Sequence, residues 1–175
     1  SSVSDAALET LLTAGSLGAL SRLALRGQRI GDFGARTLAE HSGALARLRS
    51  LAIEDAGVGA PGARFLARIR WLLRLSALSL AGNPLQVAGL EALVGDGAGR
   101  SWRELDLSNT GVGNAGVFVL ARAKRLEGLE VLSLARNRIG PTALTALLDA
   151  PQFRSLRELD VAGNPVRAAM RARLA

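Results

Sequence analysis

The chain has 175 residues, a length typical of one domain, and 49% of its residues are hydrophobic although only 3% are aromatic. It has no cysteine, which excludes disulfides, thiolate metal sites and a cysteine nucleophile, and it has no apolar run long enough to span a membrane. The net charge of +7 raises nucleic acid or an acidic protein as candidate partners, so the placement of the basic residues has to decide between them.

The N-terminal segment repeats a pattern found further along the chain. Val3 through Leu11 aligns with Ile30 through Leu38 at an offset of 27 residues. Residues 3–14 are therefore predicted to form the helical half of a repeat whose strand is missing; the alternative is an N-terminal cap helix that begins at Ser4. Neither end shows the polar cap that solenoids need for solubility, so we expect a slice of a longer repeat array.

Six copies of one phrase follow, beginning near residues 20, 48, 75, 102, 129 and 156. The clearest copy reads LEVLSLARN at residues 129–137. One inner leucine recurs in every copy, first after 28 residues and then after 27: Leu23, Leu51, Leu78, Leu105, Leu132 and Leu159. A period of this size indicates a solenoid of stacked supersecondary units.

Each copy changes its hydrophobic period part-way through. Apolar residues alternate around Leu132 and Leu134, as in a strand, whereas the run from Gly116 to Leu120 has helical spacing. One unit is thus predicted to be a short strand, a tight turn and a helix. Because such a unit cannot bury its own apolar face, we expect one α/β domain over residues 1–175, with a parallel sheet on the concave side and helices on the convex side.

The pattern LxxLxLxxN, followed by an Ile-Gly-x-x-Gly-Ala-x-x-Leu-like stretch, resembles the leucine-rich repeat family. The period of 27–28 residues is similar to that of its ribonuclease-inhibitor-like subtype. The resemblance implies a horseshoe arc and a non-catalytic role in binding other proteins. It also admits GTPase activation as an alternative, because some relatives stimulate a GTPase from a similar horseshoe.

Three units depart from the family pattern at the asparagine of this phrase, and in the first of them the longer Gln28 takes its place. Ala56 and Thr110 stand where the family has an asparagine whose amide bonds backbone groups at the turn. Threonine still offers a hydroxyl, whereas alanine offers nothing. We therefore predict that the turn around Ala56 is the loosest of the six.

Several residues that suggest chemistry have a simpler structural interpretation. Gly57 to Gly62 and Gly111 to Gly116 both read GxGxxG, yet their glycines and valines fill columns shared by the other units, so no nucleotide cofactor is expected. His41 is the single histidine and has no second ligand for a metal. Glu104, Asp106, Glu158 and Asp160 resemble paired catalytic carboxylates, but without a closed pocket we expect an exposed charged strand face and no enzyme activity.

The aromatic residues are predicted mainly to be core. Trp102 occupies the first leucine column of its unit, whereas Trp71 fits no inward column and is expected to be partly exposed. For the four phenylalanines we expect packing between helices: Phe33, Phe65, Phe118 and Phe153.

The contact surface is expected on the concave face of the sheet, because the residues that flank the inner leucines point to that side. The candidate partner-binding residues are Arg22, Arg26, Glu54, Ser79, Glu104, Asp106, Ser133, Glu158 and Asp160. Carboxylates outnumber arginines on this face, and small Ala and Ser residues fill much of the rest. The acidic end favours a protein partner with a basic segment, and the arginines at the other end give the face a charge gradient.

The basic residues are predicted to lie mostly on helices and loops. They are Arg64, Arg68, Arg70, Arg74, Arg122, Lys124, Arg125, Arg167, Arg171 and Arg173, with Arg49, Arg103, Arg136 and Arg157 at the rim of the concave face. This placement makes nucleic-acid binding through convex arginines a less favoured alternative. The absence of cysteine is typical of a cytoplasmic protein, although export as an effector is also compatible, and the Ala, Arg and Gly bias suggests a bacterial source.

Overall fold

A computed structural model describes residues 5–14, 16–95 and 101–166. Six parallel strands form one sheet in which each strand pairs with the next along the chain. The strands are β1 (Arg22–Arg26), β2 (Ser50–Glu54), β3 (Ala77–Ser79), β4 (Glu104–Asp106), β5 (Val131–Ser133) and β6 (Glu158–Asp160). The inner leucines lie side by side in register, Leu105 beside Leu132 and Leu132 beside Leu159, which confirms the predicted period.

Helices cover one face of this sheet. They are α1 (Asp5–Thr13), α2 (Gly31–Glu40), α3 (Ala60–Ala67), α4 (Gln86–Val94), α5 (Gly113–Arg122) and α6 (Pro141–Leu148). Short 3-10 helices precede five of the strands, at Ser16–Ala19, Ser42–Leu45, Arg70–Arg74, Lys124–Leu126 and Pro151–Phe153. Packed helices need about 8–10 Å of spacing whereas strands need about 4.8 Å, so the strands take the inner, concave side of the stack.

The core lies between the two layers and is aliphatic. Leu51, Leu78, Leu105 and Leu132 are all at most 2% exposed, whereas Leu23 and Leu159, on the first and last strands, are only partly buried. Helix α1 packs against α2 and buries Leu8 and Leu12. The helix expected for residues 3–14 is therefore present over the part that the structure describes.

The family asparagine supports the turn of the preceding repeat as well as its own. Asn83 is fully buried, and its Oδ1 accepts hydrogen bonds from the N–H groups of Ala56 at 3.1 Å and Val58 at 2.9 Å. Its Nδ2 donates to the carbonyls of Ile53 and Leu80. The turn at Ala56 thus has its acceptor, so the assumption that it lacks one was wrong, and its relative looseness stays a prediction.

The missing acceptor belongs to the turn one repeat earlier. There the N–H of Ile30 donates to the carbonyl of Gln28, and the N–H of Gly31 donates to the backbone carbonyl of Ala56. In the turn one repeat before Thr110, a backbone carbonyl likewise takes the place of the asparagine amide: the carbonyl of Thr110 accepts a hydrogen bond from the N–H of Gln86. A repeat without asparagine therefore alters the turn of its predecessor.

The two kinds of turn differ in backbone conformation. Where an asparagine amide of the following repeat bonds the turn, the residue directly after the asparagine column has a left-handed backbone, as at Gly57, Gly111 and Arg138. In the two turns that receive a backbone carbonyl, the left-handed residue comes two positions later, at Gly31 and Gln86.

Packing explains the two GxGxxG motifs. Val58 and Val112 are buried core residues, as predicted. A Cβ added at Gly62 would meet Val58 at 2.7 Å, and one at Gly116 would meet Val112 at 2.5 Å. These glycines let the helix pack closely on its own turn, which is a structural reason for the motif without a nucleotide.

Both tryptophans are buried. Trp102 is 1% exposed, as predicted, and its Nε1 donates to the carbonyl of Leu72 at 2.9 Å. The expectation for Trp71 was wrong, because it is 3% exposed and its Nε1 donates to the carbonyl of Ser42 in the preceding repeat. Gln152, in the same register three units later, also donates to carbonyls of the preceding repeat.

The phenylalanines divide between the core and the surface. Phe153 is buried as expected, and Phe65 is partly buried under the guanidinium of Arg68, which lies 5.9 Å from the ring centre. Phe33 and Phe118 are instead 56% and 38% exposed. Ala35 in α2 and Val117 in α5 are buried in their place, and the Phe118 ring lines a surface hollow between α4 and α5 beside Val87.

Candidate partner-binding face

We call the sheet face opposite the helices the floor. Its first column runs across the starts of the strands: Arg22, Ser50, Ala77, Glu104, Val131 and Glu158. Its second column is Ala24, Ala52, Ser79, Asp106, Ser133 and Asp160. A third, just past the shorter strands, is Arg26, Glu54, Ala81, Ser108, Ala135 and Ala162. All nine candidate residues are therefore brought together on one face.

The first two strands carry the basic end of the floor, and its charge is partly neutralised. Arg26 Nε lies 2.8 Å from a carboxylate oxygen of Glu54 on the neighbouring strand. An ion pair with a mostly exposed arginine adds little to stability, so its main effect is to remove Glu54 from the set of free carboxylates. Arg22 is exposed beside it.

The last three strands carry the acidic end. Glu104 and Asp106 lie on β4, and Glu158 and Asp160 lie in the same register on β6. Among the described residues, none of these four carboxylates is within ion-pair distance of a basic side chain. The acidic end thus has unneutralised charge that a bound cation or a basic side chain could meet.

Hydrogen bonds hold the two aspartates in place without neutralising them. Asp106 Oδ1 accepts from the N–H of Ser108 at 2.8 Å, and Asp160 Oδ1 accepts from the N–H of Ala162 at 2.9 Å. Ser133 Oγ donates to Asp160 Oδ2 at 3.2 Å and also contacts the hydroxyl of Ser108 at 2.6 Å. These contacts fix the positions of the two carboxylates on the floor.

A hollow of about 310 Å³ lies between the two ends of the floor. Its shape follows from small residues, since Ala52, Ala77 and Ser79 leave room where other strands carry charged side chains. Glu54, Glu104 and Asp106 are among its lining residues: the full set is Arg26, Ser50, Leu51, Ala52, Glu54, Ala77, Leu78, Ser79, Glu104, Leu105, Asp106, Val131 and Ser133. The Ser79 Oγ is enclosed and has no hydrogen-bond partner among the residues that the structure describes.

Both rims of the floor carry arginines. On the side where the strands begin, Glu130 pairs with Arg103 and, at 3.9 Å, with Arg157. On the opposite side, Arg136 and Arg138 line a second hollow of about 300 Å³. The sequence reasoning missed Glu130 and Arg138, although their positions beside the predicted rim arginines were a usable signal.

The leucine-rich repeat family model matches residues 103–121 and 129–148. These segments include β4 with α5 up to Ala121 and β5 with all of α6, so each contains a strand, a turn and a helix. The fold is a leucine-rich repeat solenoid. The two matches support the leucine-rich repeat family, and the stacked units on either side have the same strand register. No curated protein gives a significant sequence match to the chain.

Most of the predicted basic residues lie outside the floor of the solenoid. Arg64, Arg68, Arg70, Arg74, Arg122 and Lys124 are exposed on helices and loops. Arg167, Arg171 and Arg173 lie outside the described residues, as does the side chain of Arg125. The exposed basic residues are spread over several repeats, as expected for a solvated outer surface.

The described residues do not assemble a metal centre. They contain no group of three or more His, Asp or Glu side chains that could hold a metal ion. His41 contacts the carbonyl of Thr37 through Nδ1 at 3.1 Å and ends helix α2. No helix in the described part of the chain is both long and apolar enough to cross a membrane.

Proposed function

We propose that this leucine-rich repeat domain is a non-catalytic scaffold that binds a protein partner on its floor, with Glu104, Asp106, Glu158 and Asp160 at the centre of the contact. The observation that supports this most is the absence of any basic partner for these carboxylates among the described residues. A partner segment with lysine or arginine would supply the missing charge, and such complementarity sets specificity and association rate.

The ribonuclease-inhibitor-like subtype is the second part of the proposal. Two features support it: the 27-residue spacing of the strands and the full helix of eight to ten residues that follows each of the first five strands. In this subtype the helices take up the whole convex side, so the sheet floor is the broad surface that remains for a partner.

The experiment compares the wild type with the Asp106→Arg/Asp160→Arg double variant. The partner is captured from a lysate of the source organism, identified, produced separately and titrated against both proteins by calorimetry. Each reversal replaces attraction by repulsion, so we expect affinity to fall by at least about 30-fold. Circular dichroism should show the same folded spectrum for both, with a somewhat lower melting temperature for the double variant because three hydrogen bonds of the floor are lost.

A matched control reverses two carboxylates away from the floor. Glu91 on α4 and Glu127 near the start of the β5 repeat are both exposed, and Glu91→Arg/Glu127→Arg makes the same change in net charge. The control variant should bind like the wild type. Equal loss in both double variants would show a non-specific charge effect, and full affinity in the floor variant would move the contact to another surface.

A further inference from the structure

The free carboxylates of the floor form two matched pairs. Glu104 and Asp106 form one pair on β4, and Glu158 and Asp160 form the other on β6. Because β5 lies between these strands and neighbouring strands are about 4.8 Å apart, the two pairs are separated by about 9.6 Å. A partner that meets both pairs must therefore present two cationic groups at about this distance.

The strand between the two pairs carries no charge on the floor. It presents Val131, Ser133 and Ala135, and Ser133 is already engaged with Asp160 and Ser108. Val131 is partly exposed and offers an apolar contact midway between the acidic pairs. The partner should thus bring an apolar residue to a point about 4.8 Å from each of its two cationic groups.

An α-helix lying across the strands meets both requirements. Residues i and i+7 on a helix are two turns and about 10.5 Å apart on the same face, close to the separation of the acidic pairs. Residues i+3 and i+4 lie midway on that face, where they would contact Val131. An extended strand places same-face residues about 6.6 Å or 13 Å apart, and neither spacing matches.

The small third column allows such a helix to approach closely. Ala81, Ser108, Ala135 and Ala162 line the floor beside the carboxylates, so no bulky side chain there holds a helix away from the sheet. On the β3 side of β4, the hollow of the floor contains the enclosed Ser79 Oγ, which has no hydrogen-bond partner among the described residues.

We propose that the floor docks one amphipathic helix of the partner protein, with Lys or Arg at positions i and i+7 and an apolar residue at i+3 or i+4. This inference rests on the proposed function, since it specifies the element that the floor would bind. It assigns β4 and β6 as the two anchoring strands and β5 as the apolar contact between them.

The test uses two capped, alanine-rich helical peptides of about 18 residues, a length that supports helix formation. Both contain two lysines and leucines at i+3 and i+4; the first has its lysines at i and i+7, whereas in the second the later lysine is moved to i+5, on the far side of the helix. Each peptide carries a fluorescent label, and its binding to the full chain is measured by anisotropy. We expect the first to bind about fivefold more tightly, as one exposed cationic contact is gained.

The uncharged variant Glu158→Gln/Asp160→Asn provides the second measurement. It keeps the side-chain shape and removes the charge of the β6 pair, so the two peptides should bind this variant with about equal affinity. Equal binding of the two peptides by the wild type, or no saturable binding of either up to millimolar concentration, overturns the helix assignment. Tighter binding of a proline-rich peptide with lysines at i and i+3, which are also about 9.3 Å apart, overturns it as well.

These outcomes are separable from those for the proposed function. If the captured partner is lost with Asp106→Arg/Asp160→Arg while the peptides bind equally, the floor remains the contact and the helix proposal fails. If the peptides show the expected preference but the captured partner binds both proteins equally, the helix proposal is supported for the floor and the proposed site for that partner fails.

Discussion

Removing the amide of Asn137 should destabilise the domain more than a typical surface substitution. Asn137 is 2% exposed, and its Oδ1 accepts from the N–H groups of Thr110, Gly111 and Val112 at 3.0, 2.9 and 3.3 Å. Its Nδ2 donates to the carbonyl of Leu107 at 2.7 Å and to two carbonyls of its own repeat. Asn137→Ala removes all of these partners at once.

The expected loss follows from the number of buried backbone groups left unpaired. Each costs about 1–3 kcal/mol, and water entry or relaxation of the turn recovers part of that, so the free energy of unfolding should fall by about 3–5 kcal/mol. This is a large part of the stability of an ordinary domain, about 5–15 kcal/mol. Asn109→Ala is the control, because the Asn109 side chain is exposed; this substitution should cost only about 1–2 kcal/mol, since alanine disfavours the left-handed backbone at that position.

Urea unfolding measured by circular dichroism gives the loss, and amide hydrogen exchange gives its location. Exchange should accelerate at the N–H groups of Thr110, Gly111 and Val112, which Asn137 supports from the next repeat. The N–H groups of Ala56 and Val58, which Asn83 supports, should change much less. Unchanged exchange at residues 110–112, or an equal change in both turns, would refute the assignment of support to the following repeat.

Three further variants test the turn and helix geometry. Ala56→Asn combined with Arg29→Gly should raise the free energy of unfolding by about 1 kcal/mol, because the new amide would bond a turn that needs a left-handed residue at position 29. Thr110→Asn should give no gain, because Pro84 occupies the equivalent position of its turn and cannot adopt a positive φ. Urea midpoints of the three proteins measure the difference, and a gain from Thr110→Asn would contradict the reasoning. Gly116→Ala should lower stability by about 1–3 kcal/mol in thermal melting, since its new Cβ would lie 2.5 Å from a neighbouring core carbon; an unchanged melt would show that the helix can move outward freely.

The fold was predictable because the repeat period determines strand pairing directly. A 27-residue spacing between Leu105 and Leu132 puts these leucines side by side when equal units stack, and the same holds for every pair of neighbours. The helical spacing after each turn predicts a second layer, and stacking the helices on one face of the sheet buries the apolar faces of both layers. The floor columns follow from the alternation of side chains along each strand, so their membership was also predictable.

The contacts between repeats were less predictable, because they depend on which neighbour a side chain reaches. Sequence reasoning assigned the asparagine to its own turn, whereas Asn83 also reaches back to Ala56. Trp71 has no place in a pattern within one repeat, yet it is buried through its hydrogen bond to Ser42 in the repeat before. Pairing of Arg103 with Glu130 likewise joins adjacent repeats at positions that look like ordinary surface charges in the sequence.

The position of these buried amides explains why the floor can be changed without loss of the fold. The amides of Asn83, Asn137 and Asn164 lie beyond the strands and support the backbone of the preceding repeat. The floor aspartates support only one exposed or partly exposed N–H group each, two residues further on, together with a surface hydroxyl. Reversing Asp106 and Asp160 therefore removes hydrogen bonds worth about 0.5–1.5 kcal/mol each and leaves every buried turn satisfied. A loss of partner binding in that variant, while circular dichroism shows it still folded, would consequently report a contact on the floor rather than damage to the solenoid.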